Sequence, residues 1–174
     1  MLRLVNRRRT RAMILLAAFA GLRVHEIAKI RGEDFDPAAG SLIVTGKGGK
    51  TARLALEDAL VEELVATMPR TGWWFPGYGE HADRPITSRA VSHAISGVMK
   101  RAGMYNGKPH QLRHFYGTTL VEEGVNLRIV QKLMRHSSVA STQIYTGVTF
   151  AQQQVGANTL GVRAILDSLD DVAA

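Results

Sequence analysis

"GSLIVTGKGGKTARLAL", residues 40–56, separates an α+β reading of this chain from an all-helical one. Branched apolar residues flank the glycine-rich "GKGGK", the pattern of two short antiparallel strands joined by a tight turn. On both sides of this hairpin the pattern turns helical. Residues 9–31 carry apolar positions at helical spacing until Gly32 stops them. Downstream, an amphipathic helix is expected from Asp58 to Met68, ended by Pro69. "RTGWWFPGYGEHADRPIT" is a loop that Trp73, Trp74 and Phe75 pin to the core. Thr87 or Ser88 caps a helix to about Ala102, and Pro109 opens another that Gly124 ends. Asn126 caps "LRIVQKLMRH", Ser137 or Ser138 caps a short helix through Tyr145, and "TLGVRAILDSLDD" is a last amphipathic segment. The expectation is an α+β, mostly helical fold with one small antiparallel sheet, forming a single domain over residues 1–174 with no repeat and no linker.

The 174 residues are 45% hydrophobic, enough for a proper core, and carry a net charge of +7, which points towards a polyanion. The charge is uneven. Residues 1–31 hold eight Lys or Arg against Glu26 alone, whereas residues 151–174 hold only Arg163 against Asp167, Asp170 and Asp171. The basic end is the one suited to phosphates. The absence of cysteine excludes thiol catalysis, disulfides and cysteine-ligated metal, and fits a reducing cytoplasm. The opening "MLRLVNRRRTRAMILLAAFAG" has the outline of an export signal. Its apolar run, however, is too short to span a membrane and passes without a break into "RVHEIAKIRGEDF", so a buried helix with a basic start is expected instead.

Four places hold polar residues that packing does not require. Arg23 and Glu26 are three apart on one helical face; alone they would be a surface ion pair of little energy, but Arg23 adjoins apolar residues, where a carboxylate could fix it for a phosphate. Lys47 sits on the "GKGGK" turn, either a solvated tip or a lysine able to reach a phosphate or donate a proton; the Walker spacing is absent. His110 and Arg113 share a face with His114 beside them, a cluster costly to bury without an anion. In "RHSSVASTQIYTG", residues 135–147, small polar residues separate His136 from Tyr145. Tyr116 is the rival phenol, with a core role expected. Arginines, a lysine, histidines and a tyrosine, with no carboxylate cluster for a metal, suit attack of a tyrosine on a phosphodiester, cations replacing a metal ion in the transition state.

At this point the sequence resembles the catalytic domain of the tyrosine site-specific recombinases, the phage-integrase family. "GLRVHEI", "TGKGGKTARLAL", "HQLRHFYGTTL" and "MRHSSVASTQIYTG" match its arginine box, lysine hairpin, His-x-x-Arg box and histidine-to-tyrosine box, in order, from about residue 10 to residue 147. The resemblance implies that Arg23 and Arg113 clamp the scissile phosphate, that Lys47 protonates the leaving 5′-oxygen, and that His110 and His136 hydrogen-bond the phosphate or relay the proton. Tyr145 would be the nucleophile, forming a 3′-phosphotyrosyl bond, and Glu26 would support Arg23. It further implies recombination of double-stranded DNA by integration or excision, no metal or other cofactor, no membrane, a homo-tetramer on DNA whose free state, monomer or oligomer, is left open, an accessory DNA-bending protein, and the cytoplasm of a bacterial or phage-infected cell. Type IB topoisomerase-like relaxation and a non-catalytic DNA-binding module are the alternatives.

Two departures from the family pattern stand out. Arg135 occupies the place where a glycine usually precedes the histidine, so it either alters the turn delivering His136 or adds a phosphate contact. The family's helical core-binding domain, expected ahead of the catalytic one, is absent from these residues, so reduced DNA affinity is expected. The segment 148–174, through Leu160, Val162, Ile165, Leu166 and Leu169, either packs into a neighbouring protomer or folds back on its own domain.

Overall fold

A helix in which eight consecutive residues, Ala12 to Phe19, are buried lies at the centre of the molecule: α1, Arg8–Phe19. The computed structural model describes residues 7–135 and 148–170, together with Leu2 and Val5. Helix α1 is buried all round its middle because other helices surround it, and its apolar run is therefore a core element. It packs against α3 (Asp58–Thr67), α4 (Ser88–Arg101) and α5 (Pro109–Glu122). On α4, Val91, Ile95, Val98 and Met99 make the inward stripe expected of a 3.6-residue period.

The helix expected over residues 9–31 is two helices. Helix α1 ends at Phe19 and α2 spans only Val24–Ile27. Between them Gly21 takes a left-handed φ of 59°, while the Leu22 amide reaches back to the Leu16 carbonyl at 3.1 Å. Apolar residues continue through this corner, so periodicity alone did not reveal it; a left-handed glycine turns the chain without exposing its side chains. A Cβ on Gly21 would lie 2.5 Å from Tyr116 Cδ1, so the corner also depends on a close approach to α5.

The hairpin forms as expected. Strands β2 (Ser41–Thr45) and β3 (Thr51–Ala55) pair antiparallel, with Ser41 opposite Ala55 and Thr45 opposite Thr51. A two-residue strand β1, Phe35–Asp36, adds to the far edge of β2. The turn holds Gly48 and Gly49 at φ of 74° and 75°, a conformation that branched residues rarely adopt. In the following loop Trp74 and Phe75 are buried, whereas Trp73 lies nearer the surface, under the Arg31 guanidinium.

Helix α6 (Leu127–Leu133) begins at Asn126, whose side chain accepts from the Arg128 amide. Helix α7, Phe150–Asn158, had no counterpart in the expected elements; its capping box at Thr149 and Gln152 is plain in retrospect. Helix α8 (Val162–Asp170) folds back on α3 of its own chain, burying Val162 and Leu166 and pairing Arg163 with Glu62. No helix among the described residues is long and apolar enough to cross a membrane.

Gly21→Ala should cost about 2–4 kcal/mol, combining a strained φ with overpacking against Tyr116. Urea unfolding measures this, and an unchanged midpoint would mean that the corner relaxes freely.

Candidate active site

The corner at Gly21 sets the geometry of the site. Arg23 lies two residues after it and is the N-cap of α2. Its amide donates to Glu26 Oε2 at 2.7 Å and its Nη1 donates to Oε1 at 3.2 Å. Glu26 is only 2% exposed. The pair is therefore no surface ion pair: the carboxylate lies in the protein and only the arginine, with a side chain 35% exposed, reaches solvent.

A second cation shares that carboxylate. Arg135, at the end of α6, donates from Nη2 to Glu26 Oε2 at 2.9 Å and to the Gly21 carbonyl at 3.1 Å. The same Gly21 carbonyl accepts from Arg113 Nη1, and Arg113 Nη2 donates to the Met134 carbonyl. Arg113 is buried on the inner face of α5, three residues after the exposed His110 at the start of that helix. His114 meets the His110 ring edge-on at 4.5 Å. A cavity of about 220 Å³ is lined by Arg23, His110 and Arg113, and a neighbouring one of about 360 Å³ by Arg23, Glu26, Lys50 and Arg135. Arg23 thus borders both, between α5 and the β2–β3 hairpin.

The electrostatics follow from crowding three guanidiniums around one carboxylate. Burial raises the Glu26 pKa, but the charge of Arg135, the Arg23 amide and the remaining arginine contacts together bring it below the ordinary value of 4.5. Burial lowers the Arg113 pKa to about 10, assisted by repulsion from Arg23 and Arg135. Desolvation, then the charges of His114, Arg113 and Arg23, lower the pKa of His110, which is therefore chiefly neutral at pH 7. Such a cluster has a surplus of positive charge in a partly dry place, and an oxyanion relieves it.

Of the residues singled out in the sequence, Arg23, Glu26, His110 and Arg113 come together here. Only the backbone of Lys47 is described, in the hairpin turn bordering the larger cavity, while His136 and Tyr145 lie outside the described residues. Tyr116 is fully buried, and its hydroxyl has no partner among the described residues; burial raises its pKa, which removes it as an accessible nucleophile. The backbone carbonyls of Gly21 and Met134 carry no signal in a one-letter sequence. Arg135 does stand out there, but as a departure from pattern and not as a partner of Glu26.

A pH test follows from the lowered Glu26 pKa. Ionised Glu26 contributes its full stabilisation above the ordinary carboxylate pKa of 4.5, and loses it as pH falls through the lower folded value. Glu26→Gln should therefore be less stable than wild type by about 3 kcal/mol at pH 7, because buried cations lose their counter-charge. The gap should close below pH 4.5 in urea titrations; a gap constant with pH would mean that the carboxylate charge is not its source.

Similarity to known proteins extends across this architecture. Residues 3–152 match the model of the phage integrase family. The tyrosine recombinase XerC of Lactobacillus delbrueckii subsp. bulgaricus is 33% identical over 150 residues, covering 81% of this chain and 51% of the relative. Among solved structures, the integrase from mycobacterium phage Brujita superposes with a TM-score of 0.78 at 48% identity, covering 91% of this chain and 54% of that one. XerH site-specific recombinase bound to its difH substrate shares the fold, with a TM-score of 0.61 at 22% identity, over 81% of this chain and 43% of that one. The chain spans about half the length of the curated relatives it matches. On the family match and the XerC relative together, this chain belongs to the phage integrase family, the tyrosine recombinases.

Proposed function

We propose that this chain carries the catalytic centre of a site-specific DNA recombinase, which cuts and rejoins strands during integration or excision through a 3′-phosphotyrosyl intermediate. The observation that supports this most is the Arg23–Glu26–Arg135–Arg113 cluster beside His110, an anion site with its guanidiniums held in advance. Preorganised donors of this kind stabilise the charge that develops on a phosphorus centre under attack. In the proposed reaction Arg23 and Arg113 hold the non-bridging oxygens, and neutral His110 hydrogen-bonds the phosphate or relays a proton with His136. The Tyr145 oxygen bonds to phosphorus as the P–O5′ bond breaks, its phenolic proton passing to the histidine relay, and Lys47 gives the leaving 5′-oxygen its proton. The 5′-hydroxyl of a partner strand then reverses the step, expelling the tyrosine. No nucleotide or metal takes part in this scheme.

The partner would be double-stranded DNA, in keeping with the DNA-bound state of the XerH relative. On DNA a homo-tetramer is proposed, in which α8 leaves its seat on α3 for the equivalent seat on a neighbour, with an accessory DNA-bending protein aiding assembly. Integration of a phage genome in a bacterial cytoplasm is the setting proposed for the whole protein.

The test is a nicked-DNA pool that traps the cleaved strand, incubated in EDTA with wild type and with Tyr145→Phe. Wild type should leave a protease-sensitive protein–DNA adduct after SDS, and Tyr145→Phe none. An adduct that persists in Tyr145→Phe would place the nucleophile elsewhere, and one that needs a divalent metal would exclude the proposed chemistry.

A further inference from the structure

Arg135 is the one non-glycine residue with a positive φ, 49°, among those described. That conformation is unfavourable for any residue bearing a Cβ, and glycine would fill it without strain. Something gained through the side chain must offset it. The side chain is only 11% exposed and most of its donors are engaged: Nη1 on the Leu133 carbonyl at 2.9 Å, and Nη2 on the Gly21 carbonyl and on Glu26 Oε2. Its Nη donors are thereby committed to protein groups, and its buried Nε has no partner among the described residues. Its effect falls on its neighbours.

We infer that Arg135 is a positioning residue, which occupies Glu26 and the Gly21 carbonyl so that Arg23 and Arg113 are held apart and facing the phosphate. On Glu26, Oε2 is taken by Arg135 and by the Arg23 amide. Among the described residues the Arg23 guanidinium is left a single longer contact, on Oε1, with its other donors available to a ligand. Without Arg135, the buried carboxylate would draw Arg23 into a two-pronged pair, the arrangement arginine and carboxylate favour, and withdraw it from the cavity. On Gly21, one carbonyl receives Arg113 and Arg135 together, so the end of α6, the corner before α2 and the inner face of α5 are tied at one atom. Arg135 also adds a third positive charge against the single negative one of Glu26, which suits the greater negative charge of a phosphorane relative to its diester.

This inference rests on the phosphodiester-cleaving reading, and its test separates the two. Arg135→Gly removes the guanidinium while relaxing the left-handed backbone, which offsets part of the cost of leaving Glu26 with Arg23 alone, and circular dichroism checks that it is folded at the assay temperature; Arg135→Lys keeps a charge near Glu26 but loses the fork. With a nicked duplex in single turnover, cleavage of bound DNA by Arg135→Gly should slow roughly ten- to a hundredfold, as small misplacements of catalytic groups do. DNA affinity should change by no more than about twofold, because a nearly buried side chain adds little phosphate contact. Arg135→Lys should recover part of the rate. In ¹⁵N-arginine-labelled protein without DNA, the Nε–H signals of Arg23 and Arg113 should move in Arg135→Gly. An active wild type whose rate and arginine signals are untouched by Arg135→Gly overturns the inference. A wild type that forms no adduct while those signals move overturns the cleavage reading and leaves the positioning role standing.

Discussion

A carboxylate that is 2% exposed remains ionised only if cations compensate for its lost hydration, and Glu26 has two of them. The arrangement of the site follows from that constraint. Arg23 is drawn to the start of α2 and Arg135 to the end of α6, and the elements that carry them are brought together. A buried ion pair contributes modestly to net stability but strongly resists rearrangement, because removing one partner strands the other. Such resistance is useful where a guanidinium must stay in place before its ligand arrives.

The Gly21 corner is the second element of the same device. Its left-handed φ turns the chain out of α1, its missing side chain admits the Tyr116 ring, and its carbonyl receives Arg113 and Arg135. Core packing and site geometry thus meet at one residue. The β2–β3 hairpin closes the larger cavity from the opposite side, bringing Gly46 and Lys50 to its wall. A turn with two left-handed glycines is a suitable carrier for a lysine that must approach a ligand, since few packing contacts restrain it.

The sequence showed these features unevenly. The hairpin was legible because strand alternation and glycine turns are local signals, and α3 to α6 because their caps and apolar periods are local as well. The break at Gly21 was hidden by an apolar pattern that serves both the helix and the corner. Strand β1 is two residues long and exists only through its pairing with β2. The burial of Glu26 was the main surprise at the site, for spacing puts two side chains on one face without saying whether that face is wet. The contact between Arg135 and Glu26 joins residues 109 positions apart, and no local pattern encodes it.

The proposed oxyanion cradle is a set of guanidiniums arranged by one buried carboxylate. The most direct measurement is a crystal structure of the chain grown with tungstate, whose anomalous signal locates the ion independently of any phase bias. Tungstate is expected between Arg23 and Arg113, within hydrogen-bond reach of both and beside His110, where Arg23 and Arg113 line one cavity. Tungstate absent from that cavity, but held instead by Arg7, Arg8 and Arg9 at the other end of α1, would contradict it.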